Sequence, residues 1–196
     1  MITPKHFNAR KLVMLALLTA IVVIFQSLGA FVKFGPFSIS LVLMPIAVGA
    51  ALIGAYAGAW LGLAFGFVVL MSGDAGVFLA INPPAAIFIV LMKGLLAGLA
   101  AGFTYRLFAN KSRTAAAVAA AAVCPIVNTG VFLAGTYVFF LPVFTEAATA
   151  AGFANAGAYI ILMVIGANFL VELALNLILS PVIIRLIQYG LKTSFS

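Results

Sequence analysis

Between Ile39 and Met71 the chain runs thirty-three residues without a charged side chain, and glycine recurs at Gly54, Gly58, Gly62 and Gly66, every fourth position. Water does not hold such a segment, whereas a bilayer does. A helix crossing the hydrocarbon core needs about 20 mostly apolar residues. Glycines four apart share one helix face, where a second backbone can approach closely. The stretch predicts an integral membrane protein whose helices pack through small residues. It also makes the few polar side chains inside the apolar segments the informative ones.

Hydrophobic residues make up 66% of the chain and charged residues 7%, against about 25% charged in soluble domains. The 196 residues hold one bundle of roughly five to seven spans and no further soluble domain. The net charge of +7 comes from basic residues that flank apolar segments. That is positive-inside topology and not a nucleic-acid-binding stripe. Cys124 is the sole cysteine, which excludes an intrachain disulfide and a cysteine-only metal site. His6, the sole histidine, lies in the N-terminal tail, so neither a metal site nor a cofactor is expected. Lys5, Arg10 and Lys11 precede an apolar run from Leu12 to Phe25 that continues to Phe31 without a small-x-small cleavage site. It is expected to be a retained first span and not a signal peptide.

Six helices are predicted in a single domain covering residues 1–196, at Lys11–Gly29, Ile39–Ile53, Ala57–Met71, Pro84–Tyr105, Ala115–Phe140 and Ala158–Gln188. The second and third are short enough to be one tilted helix, and charge parity decides between the alternatives. Lys5, Arg10 and Lys11 precede the first span, Arg106, Lys111 and Arg113 follow the fourth, and Arg185 and Lys192 end the last. Six spans put all three clusters and both termini on the cytoplasmic face; five would expel the Arg106–Arg113 loop. A tight turn at Gly54-Ala55-Tyr56 follows. The external connections are then Ala30–Ser38, Ser72–Pro83 and Leu141–Gly157, either connectors or a lid.

Small residues also recur at Gly94, Gly98 and Gly102 in the fourth helix and in Ala16-Leu17-Leu18-Thr19-Ala20 of the first. Each face serves internal packing or docks another membrane protein, and spacing alone does not separate the two.

A charge at bilayer depth costs at least about 2.5–3.5 kcal/mol on insertion scales and usually serves function. Lys93 lies inside the fourth helix and Glu172 inside the sixth, and Asn128 follows Pro125 in the fifth. Asn168, Glu172, Asn176 and Ser180 form a stripe that drifts little around the sixth helix. A pocket of Lys93, Asn128 and Asn168 offers one positive charge and two amides, which suits a small polar molecule, including one with a carboxylate. Pairing of Lys93 with Glu172, with the asparagines joining helices, is the structural alternative. Asp74 and Asn82 lie in external turns that either reach the pocket mouth or are ordinary turns, Ser72–Gly76 as a flexible turn and Asn82-Pro83-Pro84 as the start of the fourth helix.

No Walker A loop, intramembrane protease constellation or ion-filter motif is present. The two halves show no convincing repeat. An enzyme is not expected.

Taken together, these residues resemble the substrate-binding S components of energy-coupling factor vitamin transporters, over essentially the full chain. Six short spans in under 200 residues carry part of the likeness. Ala16-Leu17-Leu18-Thr19-Ala20 is similar to the family's A-x-x-x-A docking motif. Ile39-Ser40-Leu41-Val42-Leu43-Met44-Pro45-Ile46, leading to Gly54-Ala55-Tyr56-Ala57-Gly58, is similar to its second and third helices. The Gly54-Ala55-Tyr56 turn departs from the family's usual Tyr-Gly-Pro-like one. Lys93-Gly94, with Asn168 and Glu172, completes the likeness. The resemblance implies a prokaryotic plasma-membrane protein with a membrane T subunit and two cytoplasmic ATPase subunits as partners. It also implies vitamin binding from outside, with delivery by toppling in the membrane. Riboflavin-like and pantothenate-like ligands both stay open. A stand-alone secondary transporter or channel, or a membrane scaffold, is the alternative from another class.

Overall fold

The computed structural model describes residues 9–29, 33–34, 37–38 and 41–193; for several residues of the last helix, Asn168 among them, the side chain lies outside that description. Helix α1 (Ala9–Gly29) leads to a small antiparallel hairpin, β1 (Lys33–Phe34) with β2 (Phe37–Ser38), in which Lys33 faces Ser38. The rest is helical: α2 (Leu43–Leu52), α3 (Ala55–Ser72), α4 (Gly76–Ile81), α5 (Pro83–Ala109), α6 (Arg113–Phe139), α7 (Leu141–Ala150), α8 (Ala156–Tyr159), a π-helical turn at Ile160–Ile165, and α9 (Gly166–Thr193).

Among the described residues four helices are long and apolar enough to cross a membrane: α1, α3, α5 and α6. The expected second span shortens to α2, ten residues, with a rise of about 15 Å. The last expected span is interrupted near its start by the π-helical turn. Two connections expected as external loops each contain a short helix, α4 and α7.

The α2–α3 junction bends back as a hairpin. Gly54 adopts φ 137°, a conformation that glycine reaches without a Cβ penalty. Beyond it, a Cβ on Gly58 would come within 2.6 Å of the Ala50 Cβ. Those residues would sit about 12 Å apart along one straight helix. Helix α2 is enclosed by its neighbours, with Leu43 and every residue from Pro45 to Ala51 buried.

Helices α3 and α5 meet through a ladder of glycines. Gly58 faces Gly98, Gly62 faces Gly94, and Gly66 faces Val90 and Leu91. A Cβ on Gly58 would lie 2.5 Å from the Gly98 carbonyl oxygen, and one on Gly62 would press still closer on that of Gly94. Lipid offers no hydrophobic drive for helices to associate, so close backbone approach supplies the attraction through dispersion.

Local caps set the helix starts. The Asn82 side chain accepts from the Ala85 amide at 3.3 Å, with prolines in the first turn of α5. Ser112 does the same for α6, accepting from Ala115 at 3.2 Å. Both cap amides that would otherwise lack partners. Helix α6 passes through Pro125 without interruption and packs along α5, with Gly135 against Ile89. Helix α9 packs on α6 and α2. The main core joins Val22, Leu43, Ile46, Leu61, Cys124 and Ile184.

Candidate functional site

The glycine ladder fixes the rotation of α5, and with it Lys93, the neighbour of Gly94. The Lys93 ammonium rests between two aromatic side chains, 5.4 Å from the ring centroid of Phe65 on α3 and 5.3 Å from that of Phe132 on α6. Ring faces carry negative quadrupole density and attract a desolvated cation. Among the described residues the ammonium donates no hydrogen bond, so the aromatic cradle replaces only part of its lost hydration.

Helix α6 carries Asn128, Phe132 and Thr136 at every fourth position, which keeps them near one face. Asn128 is 7% exposed and Thr136 is fully buried. The Asn128 Oδ1 and the Thr136 Oγ1 have no hydrogen-bond partner. Buried polar atoms in folded proteins are nearly always paired, and each exception calls for a cause. Two such atoms flank the ring that cradles Lys93.

The described part of the α9 stripe faces inward as its spacing predicts. Glu172, Asn176 and Ser180 are all buried. The Asn176 amide donates to the Glu172 carbonyl at 3.1 Å, and the Ser180 hydroxyl donates to the Asn176 side-chain oxygen at 3.3 Å. Asn176 and Ser180 are therefore engaged within the stripe, through the Glu172 backbone and through each other. The Asn168 side chain lies outside the described residues.

Asp74 lies beyond the end of α3 and accepts from the Gln26 amide at 2.5 Å. Gln26 is a buried polar residue of α1, so this bond ties the α3–α4 turn to the first helix. Asn82 is engaged as the cap of α5.

Above Lys93 lies an aromatic layer. Phe78 of α4 packs edge-on against Phe132, with centroids 5.5 Å apart, and against Phe140 at 5.2 Å. Phe144 of α7 adjoins Phe78 at 6.0 Å and Tyr159 at 6.4 Å. Sequence reasoning singled out Lys93 and Asn128 but passed over Phe65, Phe132 and Thr136. The Asn128–Phe132–Thr136 repeat was the available signal.

The match to known proteins decides where such a site belongs. A family model described as "ECF transporter, substrate-specific component" matches residues 10–184. The chain belongs to this family. No curated protein and no solved structure matches it.

In this substrate-specific component the first helix contributes little to the core. Only Leu18, Val22 and Gln26 of α1 are buried. Ala16 and Ala20 are exposed, as is Leu17 between them. Thr19, inside the same motif, is engaged from the other side: its hydroxyl donates to the Leu15 carbonyl at 2.8 Å and accepts from the Trp60 indole at 3.2 Å.

Proposed function

We propose that this protein binds a vitamin or related small micronutrient from outside the cell and delivers it inward. Delivery takes place in complex with a membrane T subunit and two cytoplasmic ATPase subunits. The protein itself is not an enzyme. It sits in a prokaryotic plasma membrane with six membrane-embedded segments: α1, α2, α3, α5, α6 and the run from α8 to α9. Charge parity supports cytoplasmic termini and a cytoplasmic Arg106–Arg113 turn. Lys93, Asn128, Asn168 and Glu172 form the ligand site, with Asp74 and Asn82 near its mouth. Ala16 and Ala20 dock the T subunit.

One observation carries the binding site. A lysine and an asparagine lie inside the membrane-embedded bundle with hydrogen-bonding capacity left over. A purely structural polar network would use that capacity up, whereas a ligand site keeps it open until the ligand arrives.

Lys93→Ala tests the site. A hydrogen bond to a charged group is worth about 1.5–3 kcal/mol, so vitamin affinity should fall roughly ten- to a hundredfold. Expression and folding should hold, because a costly intramembrane charge has been removed. Should the variant lose stability, the double change Lys93→Ala with Glu172→Gln ought to restore it without restoring affinity. Unchanged affinity in a folded Lys93→Ala protein would make the lysine structural. The topology is tested separately by cysteine labelling at Ser112, which should fail from outside intact cells.

A further inference from the structure

The leftover hydrogen-bonding groups have a pattern that speaks to ligand chemistry. Lys93 supplies only donors, and the Asn128 side-chain oxygen only accepts. A ligand satisfying both must carry an acceptor and a donor of its own. Thr136, eight residues beyond Asn128 on the same uninterrupted helix, adds a hydroxyl about 12 Å further along the axis. Between these levels stands the Phe132 ring, which together with Phe65 of α3 is in contact with the lysine ammonium. Phe132 is held in place by the edge-on packing of Phe78.

When the ammonium swings onto a ligand acceptor, two phenyl rings lose their cation. A flat π-system compensates both through ring–ring contacts and arrives already rigid. A flexible aliphatic chain would have to be ordered and offers no matching quadrupole. We propose that the ligand is a planar ring compound pairing an N–H or O–H donor with an anionic or carbonyl acceptor. It lies along α6 from Asn128 to Thr136, with Phe65 and Phe132 against its ring. This rests on the uptake reading above and adds Phe65, Phe132 and Thr136 to its site.

The test uses the purified full-length chain in detergent, incubated with filtered yeast extract as the source of micronutrients, washed and then denatured. The released molecule is identified by exact mass and ultraviolet absorption. A ring compound with both a donor and an acceptor is expected, near one equivalent per chain. Its retention should drop about three- to tenfold in Thr136→Val and in Phe132→Leu, and survive in Thr136→Ser. Ligand-free Thr136→Val should melt no lower than the parent protein, because it deletes an unpaired buried oxygen; a structural hydroxyl would give the opposite shift. Release of an acyclic or saturated molecule that Lys93→Ala no longer retains would overturn the ring inference and leave the uptake reading standing. Equal retention of a ring compound by all three position-132 and position-136 variants would also overturn it. Capture of nothing by the folded parent protein would overturn both.

Discussion

Two faces of this molecule share one sequence pattern and have opposite fates. On α3 and α5, small residues at spacing four are consumed: Gly58, Gly62, Gly94 and Gly98 press backbone on backbone. On α1 the same spacing leaves Ala16 and Ala20 exposed. The deciding difference is the Cβ. Where each helix offers glycine at the crossing, a facing carbonyl stands where a Cβ would go and no room remains for a partner. Alanine keeps a methyl group, and the first helix is anchored instead by a separate narrow stripe of Leu18, Val22 and Gln26. Spacing reports that a face is smooth, and the neighbour across it reports whether the face is already used.

Gly62→Val should break the comparison most severely. The added carbons meet the backbone of Gly94 and not a side chain that can turn aside. The cost should exceed the roughly 1–3 kcal/mol of ordinary overpacking, read as loss of the monodisperse peak in detergent chromatography. Next comes the pair Ala16→Leu and Ala20→Leu. Both should leave that peak and vitamin binding intact while abolishing co-purification with the T subunit. If they cost folding instead, the two faces are alike after all. Trp60→Phe removes the indole bond to Thr19 on a half-exposed contact. About 0.5–1 kcal/mol of stability should be lost, measured as a small drop in melting temperature. Gly66→Ala should be nearly silent. Its Cβ would find the Val90 oxygen at 3.0 Å, a mild squeeze of about 1 kcal/mol set against a similar gain in helix propensity. A large effect there would show that the ladder is tight to its end.

Much of the helical order was legible because it follows from charge-free runs and their basic flanks. The break at Gly54 and the hairpin beyond it could be read from charge parity alone. The short helices α4 and α7 could not. Six residues from Gly76 to Ile81 have no periodicity to show, and tertiary packing of Phe78 against Phe132 and Phe140 holds them in place. The shortening of α2 was equally hidden, since its flanks are as apolar as its interior. At the site, Lys93 and Asn128 stood out because polar groups are conspicuous in an apolar span. Phe65, Phe132 and Thr136 did not, because phenylalanine and threonine are ordinary there. Only the packed structure shows that two of these rings meet one ammonium and that the hydroxyl lacks a partner. Asn82 illustrates the reverse: a polar residue read from the sequence as a site candidate, whose side chain is engaged in starting α5.

The glycine ladder also has a mechanical meaning. Helices that meet through interlocking side chains can slip by swapping rotamers, but a seam made of bare backbone has none to swap. Helices α3 and α5 therefore move as one stiff plate. Lys93 is fixed to one side of that plate, and through Trp60 the Thr19 segment of α1 is latched to the other. A displacement of α3 therefore carries the backbone at Lys93 with it, while the single Trp60–Thr19 bond is the weaker joint to the first helix.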